Sequence, residues 1–136
     1  MNKVFSASLD TLYEMLNFIK EQAEIFGFDP VCISQIELAA EEAIVNIVSY
    51  GYPSDQKGTI EISCFPAQDG SIGLKIMIKD DGIPYNPLTT KKTESISLIE
   101  KRVPGGFGVF FILKIMDEVE YKREDNANIL ILVKYR

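Results

Sequence analysis

A chain of 136 residues, 46% hydrophobic and 25% charged, has the length and balance of one globular domain, large enough to bury a core without disulfide or metal staples. Its net charge of -6 and pI near 4.7 exclude the basic footprint that direct nucleic-acid binding needs and make an anionic membrane a poor partner. The absence of histidine excludes histidine triads, histidine metal ligands and a phospho-accepting histidine, which leaves a carboxylate, Lys, Tyr or Cys as any general base.

The first residues, MNKVFSASLD, lack the apolar centre of a secretory signal, and no run approaches membrane-spanning length, so a cytoplasmic location is expected. Residues 3 to 9 alternate as a short strand. Ser8 or Asp10 can cap the next element, a helix from Leu9 to Phe26 with Leu12, Leu16, Ile19, Ala23 and Phe26 at helical spacing. Gly27 ends it, and Asp29-Pro30 opens a second helix from 31 to 50 that Gly51-Tyr52-Pro53 stops. Residues 59 to 67 and 71 to 80 alternate as two strands of a hairpin, after a turn at 54 to 58 and around one at 68 to 70. Cys32 and Cys64 each sit in an apolar stretch, without metal-like spacing, and read as small buried hydrophobes in a reducing compartment.

From 81 to 104 the periodicity dissolves into a long loop with room for a short helix at 94 to 101; a loop of this length in a small domain is usually functional or mobile. Residues 108 to 116 read as a buried helix, and 118 to 125 with 128 to 136 as a second hairpin turning at Asn126-Ala127. The order β-α-α-β-β-loop-α-β-β segregates helices from antiparallel hairpins. It predicts an α+β, two-layer sandwich: a mostly antiparallel sheet with helices on one face, and one domain spanning 1 to 136.

Three places carry chemistry. Glu42 and Asn46 are four residues apart on the second helix, so a carboxylate and a carboxamide share one face. Asn46 interrupts the apolar run Ala43 to Val48, and an unpartnered buried amide costs about 1–3 kcal/mol, so either a neighbouring backbone group or a ligand must satisfy it. Asp80-Asp81-Gly82 leaves a strand, either as a plain exit turn or as an acceptor for an exocyclic amine beside a glycine that lets a ring approach. Gly105-Gly106-Phe107-Gly108 precedes an apolar helix, where loop amides and helix dipole suit phosphate, although a hinge would read the same. No GK[ST] follows, so this is not a Walker A loop.

Taken in order, LAAEEAIVNIVSYGYP, IKDDGIPYNP and GGFGVFFILKIMDEVEYKRED resemble the Bergerat-fold ATPases: gyrase B, certain heat-shock chaperones, MutL-type proteins and histidine kinases. The nearer similarity is to the bacterial anti-sigma-factor serine/threonine protein kinases of that superfamily, and it covers nearly the whole chain. The resemblance implies a histidine-kinase-like ATPase fold that binds ATP and Mg2+. It implies Asn46 as the metal ligand, Glu42 as the general base, and Asp80 with Gly82 at the adenine. Gly105, Gly106, Phe107 and Gly108 would form the phosphate loop, and 88–104 the ATP lid, with Lys91, Lys92 and Arg102 available to screen charge.

The resemblance implies a partner-switching regulator as well, one that phosphorylates a serine on a small anti-sigma-factor antagonist protein, also holds a sigma factor or analogous regulator, and acts as a homodimer. A non-catalytic ATP-binding module that sequesters a regulator, and a plain ATPase, remain open alternatives. The sequence departs from the family at Tyr50, where histidine is frequent, and in the last strand, where Asn128 and Ile131 stand near the place of a common threonine.

Overall fold

The computed structural model describes residues 1–53, 57–67, 72–88 and 108–136. The elements, in chain order, are β1 (Asn2–Ser6), α1 (Leu12–Ile25), α2 (Pro30–Gly51), β2 (Thr59–Pro66), β3 (Gly73–Asp80), α3 (Gly108–Ile115), β4 (Glu118–Glu124) and β5 (Ala127–Tyr135). The turns predicted at 54 to 58 and 68 to 70 and the helix at 94 to 101 fall wholly or mainly outside the described residues.

Local chemistry accounts for most boundaries. Ser8, in extended backbone, accepts from the Asp10 N–H at 3.0 Å, and a 3-10 turn at Leu9–Thr11 precedes α1. The predicted α1 therefore starts three residues late, its first turn wound tighter than an α-helix. Gly27, at φ 86°, closes α1: its N–H reaches the Glu24 carbonyl at 3.0 Å and the Phe28 N–H reaches Ala23 at 3.1 Å, so two terminal carbonyls are satisfied. The Asp29 side chain accepts from the Cys32 N–H at 2.8 Å, and Pro30 occupies the first helical position, where its missing N–H costs nothing. The last hairpin turns one residue earlier than expected, at Asp125 (φ 53°) and Asn126 (φ 63°), two residue types that tolerate left-handed backbone.

All strand pairs are antiparallel, in the order β1-β2-β3-β5-β4. One face of the sheet carries Ile60, Ile62, Cys64, Leu74, Ile76, Ile78, Leu130 and Leu132 into a single core with Met15, Leu16 and Ile19 of α1, Ile36, Ala43, Ile44 and Ile47 of α2, and Ile112 of α3. Each large side chain buried there contributes about 1.5–3 kcal/mol. The other face holds a smaller cluster, Ile129, Ile131 and Val133 with Ala67, Met77 and Tyr135. β5 is thus buried on both faces, which is why NILILV reads as an unbroken apolar run. No described helix is long and apolar enough to cross a membrane.

Candidate functional site

The C-terminal half of α2 presents Glu42, Asn46 and Tyr50 at four-residue steps along one face. The Glu42 carboxyl is pushed above the ordinary carboxylate range, first by burial and then by the neighbouring Glu41 charge. Asn46 is only 3% exposed. No described residue hydrogen-bonds its side chain, yet among the described residues no fully buried side-chain nitrogen or oxygen lacks a partner. The amide must therefore open onto accessible space, which disfavours the local backbone bond that the sequence left possible. Tyr50 is half exposed, its ring 5.5 Å from that of Tyr85, so the helix face continues onto the loop after β3.

That loop begins at Asp80, 3% exposed, whose Oδ1 accepts from the Gly82 N–H and from Asn128 Nδ2, each at 2.9 Å. No described donor reaches Oδ2, so one carboxylate oxygen is left for a ligand. Burial pushes the Asp80 carboxyl up; the Asn128 and Gly82 donors pull it back, Asp81 raises it, Arg123 lowers it, and the balance stays above the usual range.

The glycine at 82 is required first by the protein itself: a Cβ there would stand 2.4 Å from the Gly51 carbonyl oxygen, which also accepts from the Ile83 N–H at 2.9 Å. Gly82→Ala is expected to push the loop off the end of α2 and cost about 1–3 kcal/mol, measured as a lower urea midpoint together with weakened ATP affinity. An alanine variant as stable as wild type would show that the loop yields freely.

Two residues that the sequence left without a role organise this corner. Asn128 joins Asp80 to the loop and to β4: Nδ2 also donates to the Ile83 carbonyl at 2.8 Å, and Oδ1 accepts from the Tyr85 N–H at 3.2 Å and the Tyr121 hydroxyl at 2.5 Å. Its signal was an amide inside an apolar strand, the same signal that marked Asn46, and the strand register that places it opposite Asp80 supplies the rest. Tyr52, which the sequence showed only as part of a helix stop, donates to Asp81 Oδ1 at 2.5 Å, while the Asp81 N–H donates to its hydroxyl at 3.0 Å. Burial raises the Tyr52 hydroxyl pKa, and the Asp81 hydrogen bond adds to the rise. Burial also pushes Asp81 up, but the donors from Tyr52 and the Thr59 N–H outweigh it and leave Asp81 below its ordinary value.

The structure thus brings the end of α2 against the Asp80–Ile83 turn, and α3, which opens at Gly108, packs against α2. Gly105, Gly106 and Phe107, with Lys91, Lys92 and Arg102, lie outside the described residues, as does all of the 88–104 segment except Leu88. Among the described residues no three Cys, Asp or Glu side chains cluster as a metal site.

A family model for the histidine kinase-like ATPase domain matches residues 5–134. Proteins named serine-protein kinase RsbW are similar over most of the chain. That of Oceanobacillus iheyensis is 31% identical over 114 residues, covering 80% of this chain and 70% of the relative. That of Halalkalibacterium halodurans is 31% identical over 119 residues, covering 83% and 68%. That of Staphylococcus epidermidis is 32% identical over 111 residues, covering 76% and 65%. Among solved structures, the histidine kinase domain of the Erythrobacter litoralis EL346 blue-light activated histidine kinase superposes with a TM-score of 0.56 at 16% identity, a likeness of fold. The match covers 91% of this chain and 60% of that one.

Proposed function

The chain belongs to the histidine kinase-like ATPase domain family, and from that premise we propose that it is an ATP-dependent protein serine/threonine kinase that acts as an anti-sigma-type partner switch. Its substrates would be ATP and a serine on a small antagonist protein. A sigma factor or analogous regulator would be the second partner, and the cytoplasm would be the location. The observation that carries this reading is the Asn46 amide, sequestered by the fold yet without a partner among the described residues, on the same face of α2 as Glu42.

The residues fit the ligands the family uses. An amide oxygen is a hard donor suited to Mg2+, which dehydrates reluctantly and commonly takes few protein ligands together with phosphate oxygens and waters. Asn46 would hold it, and when bound with ATP the ion would neutralise charge on the phosphates. Asp80 would accept from the adenine amine through Oδ2, and the backbone at Gly82 would pass close to the ring. Glu42 would accept the serine proton; a carboxylate whose pKa is raised by burial is a better proton acceptor than a free one wherever it is ionised. The loop Gly105 to Gly108 would receive the phosphates, and 88–104 would close over them. A homodimer is proposed as the working unit.

The test is incubation with terminally labelled ATP and a candidate antagonist. Label on the antagonist's serine is the expected result. Free phosphate released without any partner would instead make the chain a plain ATPase. No turnover, with a melting shift equivalent to about 2.7 kcal/mol at a hundred times Kd, would make it a binding module.

A further inference from the structure

We propose that Asn128 is the positioning residue that commits Asp80 to accept a hydrogen bond from the bound base, and that it thereby sets a preference for adenine over guanine; this rests on the reading of Asp80 as the base-binding residue.

The orientation of the Asn128 amide is fixed by its neighbours. The atom facing the Tyr85 N–H at 3.2 Å must be the oxygen, because a backbone N–H only donates. The atom facing the Ile83 carbonyl at 2.8 Å must be the nitrogen, because a carbonyl only accepts. The amide therefore cannot be flipped without breaking both contacts. The second Nδ2 hydrogen then has one destination, Asp80 Oδ1 at 2.9 Å, and toward that oxygen Asn128 can act only as a donor.

The Gly82 N–H points at the same oxygen from 2.9 Å. Two hydrogens directed at Oδ1 leave no place for a proton there, and they favour the carboxylate over the acid. Oδ2 then presents lone pairs to the site. Adenine offers an amine donor at its C6 position, whereas guanine offers a carbonyl acceptor. A committed acceptor satisfies the first and leaves two sets of lone pairs facing each other with the second, the kind of unpaired contact that discriminates strongly.

The other charged and titratable groups near Asp80 do not supply this commitment. Asp81, the next residue, works against ionisation, and Tyr52 at the end of α2 already donates to Asp81. Arg123 on β4 is exposed and spends Nη1 on the Gly82 carbonyl at 3.0 Å. Among the influences that oppose burial at Asp80, the Asn128 donor is the strongest. Tyr121, from β4, donates to Asn128 itself and holds the amide rather than the carboxylate.

The experiment has two readouts. Mg-ATP and Mg-GTP affinities are measured by calorimetry from roughly pH 5.5 to 8, and the Asp80 carboxyl is titrated by carboxyl-carbon NMR in the nucleotide-free protein. Wild type should prefer ATP by about a hundredfold. Asn128→Leu should cut that ratio about tenfold, more at the acid end, and should move the Asp80 midpoint up.

Denaturant titration of Asn128→Leu checks that the variant is folded before its ratio is read. In wild-type protein the Asn128 side-chain amide resonances should follow the Asp80 titration, a readout that needs no variant. A wild-type preference for ATP that a folded variant keeps at every pH, an unmoved Asp80 midpoint, or amide resonances indifferent to Asp80 overturns the role of Asn128 alone. Equal affinity of the wild type for ATP and GTP overturns the base-binding role of Asp80 and the proposal with it.

Discussion

Glu42→Gln is expected to leave Mg-ATP affinity within about twofold of wild type while transfer to a serine acceptor falls by about 10²- to 10⁴-fold, the usual contribution of a positioned general base. Glutamine keeps the shape of the side chain and can still hydrogen-bond the acceptor hydroxyl, but it cannot take its proton. The pH profile carries a second signature. Glu42 serves as a base only when ionised, and burial, reinforced by Glu41, raises its pKa. The transfer rate should therefore rise with pH through a midpoint above that of a free glutamate, and this acid limb should vanish in the variant.

Stability depends on pH in the opposite sense. A carboxyl whose pKa is raised by folding binds its proton more tightly in the folded state, so its contribution falls as pH rises through the folded pKa. Glutamine has no such dependence, and Glu42→Gln should melt no lower than wild type at neutral pH. Unchanged phosphate transfer in this variant would remove Glu42 as the base.

Asn46→Ala is expected to lower Mg-ATP affinity by roughly tenfold to a hundredfold, the range for one contact to a charged group, with little effect on binding measured in a chelator. The fold should not suffer with it. An asparagine bonded to local backbone would cost about 1–3 kcal/mol on truncation. Here the amide has no partner among the described residues, so the nucleotide-free variant should unfold within about 1 kcal/mol of wild type, by denaturant titration. Loss of stability with unaltered Mg-ATP affinity would make Asn46 a structural amide and remove the metal role.

The two α2 predictions were legible in the sequence because helical geometry is local. A spacing of four residues puts Glu42 and Asn46 on one face whatever the helix packs against, and an amide in an apolar run announces an unmet hydrogen bond. Asp80 was visible as a carboxylate leaving an apolar strand. Its working partner was only half visible: Asn128 could be placed near it, but not as the donor that orients it. Gly82 was legible as a glycine and not for its cause, since the atom that forbids a side chain is the Gly51 carbonyl, far back along the chain at the end of α2. The start of α1 and the turn before β5 were missed by a few residues, because the 3-10 winding of Leu9–Thr11 after the Ser8 cap and the positive φ of Asp125 depend on backbone detail finer than periodicity.

By itself the sequence determined the α+β class, the segregation of helices from hairpins and the side chains on the α2 face, all set by patterns local to each element. Only the tertiary structure decided that β5 lies between β3 and β4, which brings Asn128 against Asp80 across 48 positions. Antiparallel register is fixed by burial on both sheet faces and by hydrogen bonds between distant strands, and neither leaves a local trace in the chain.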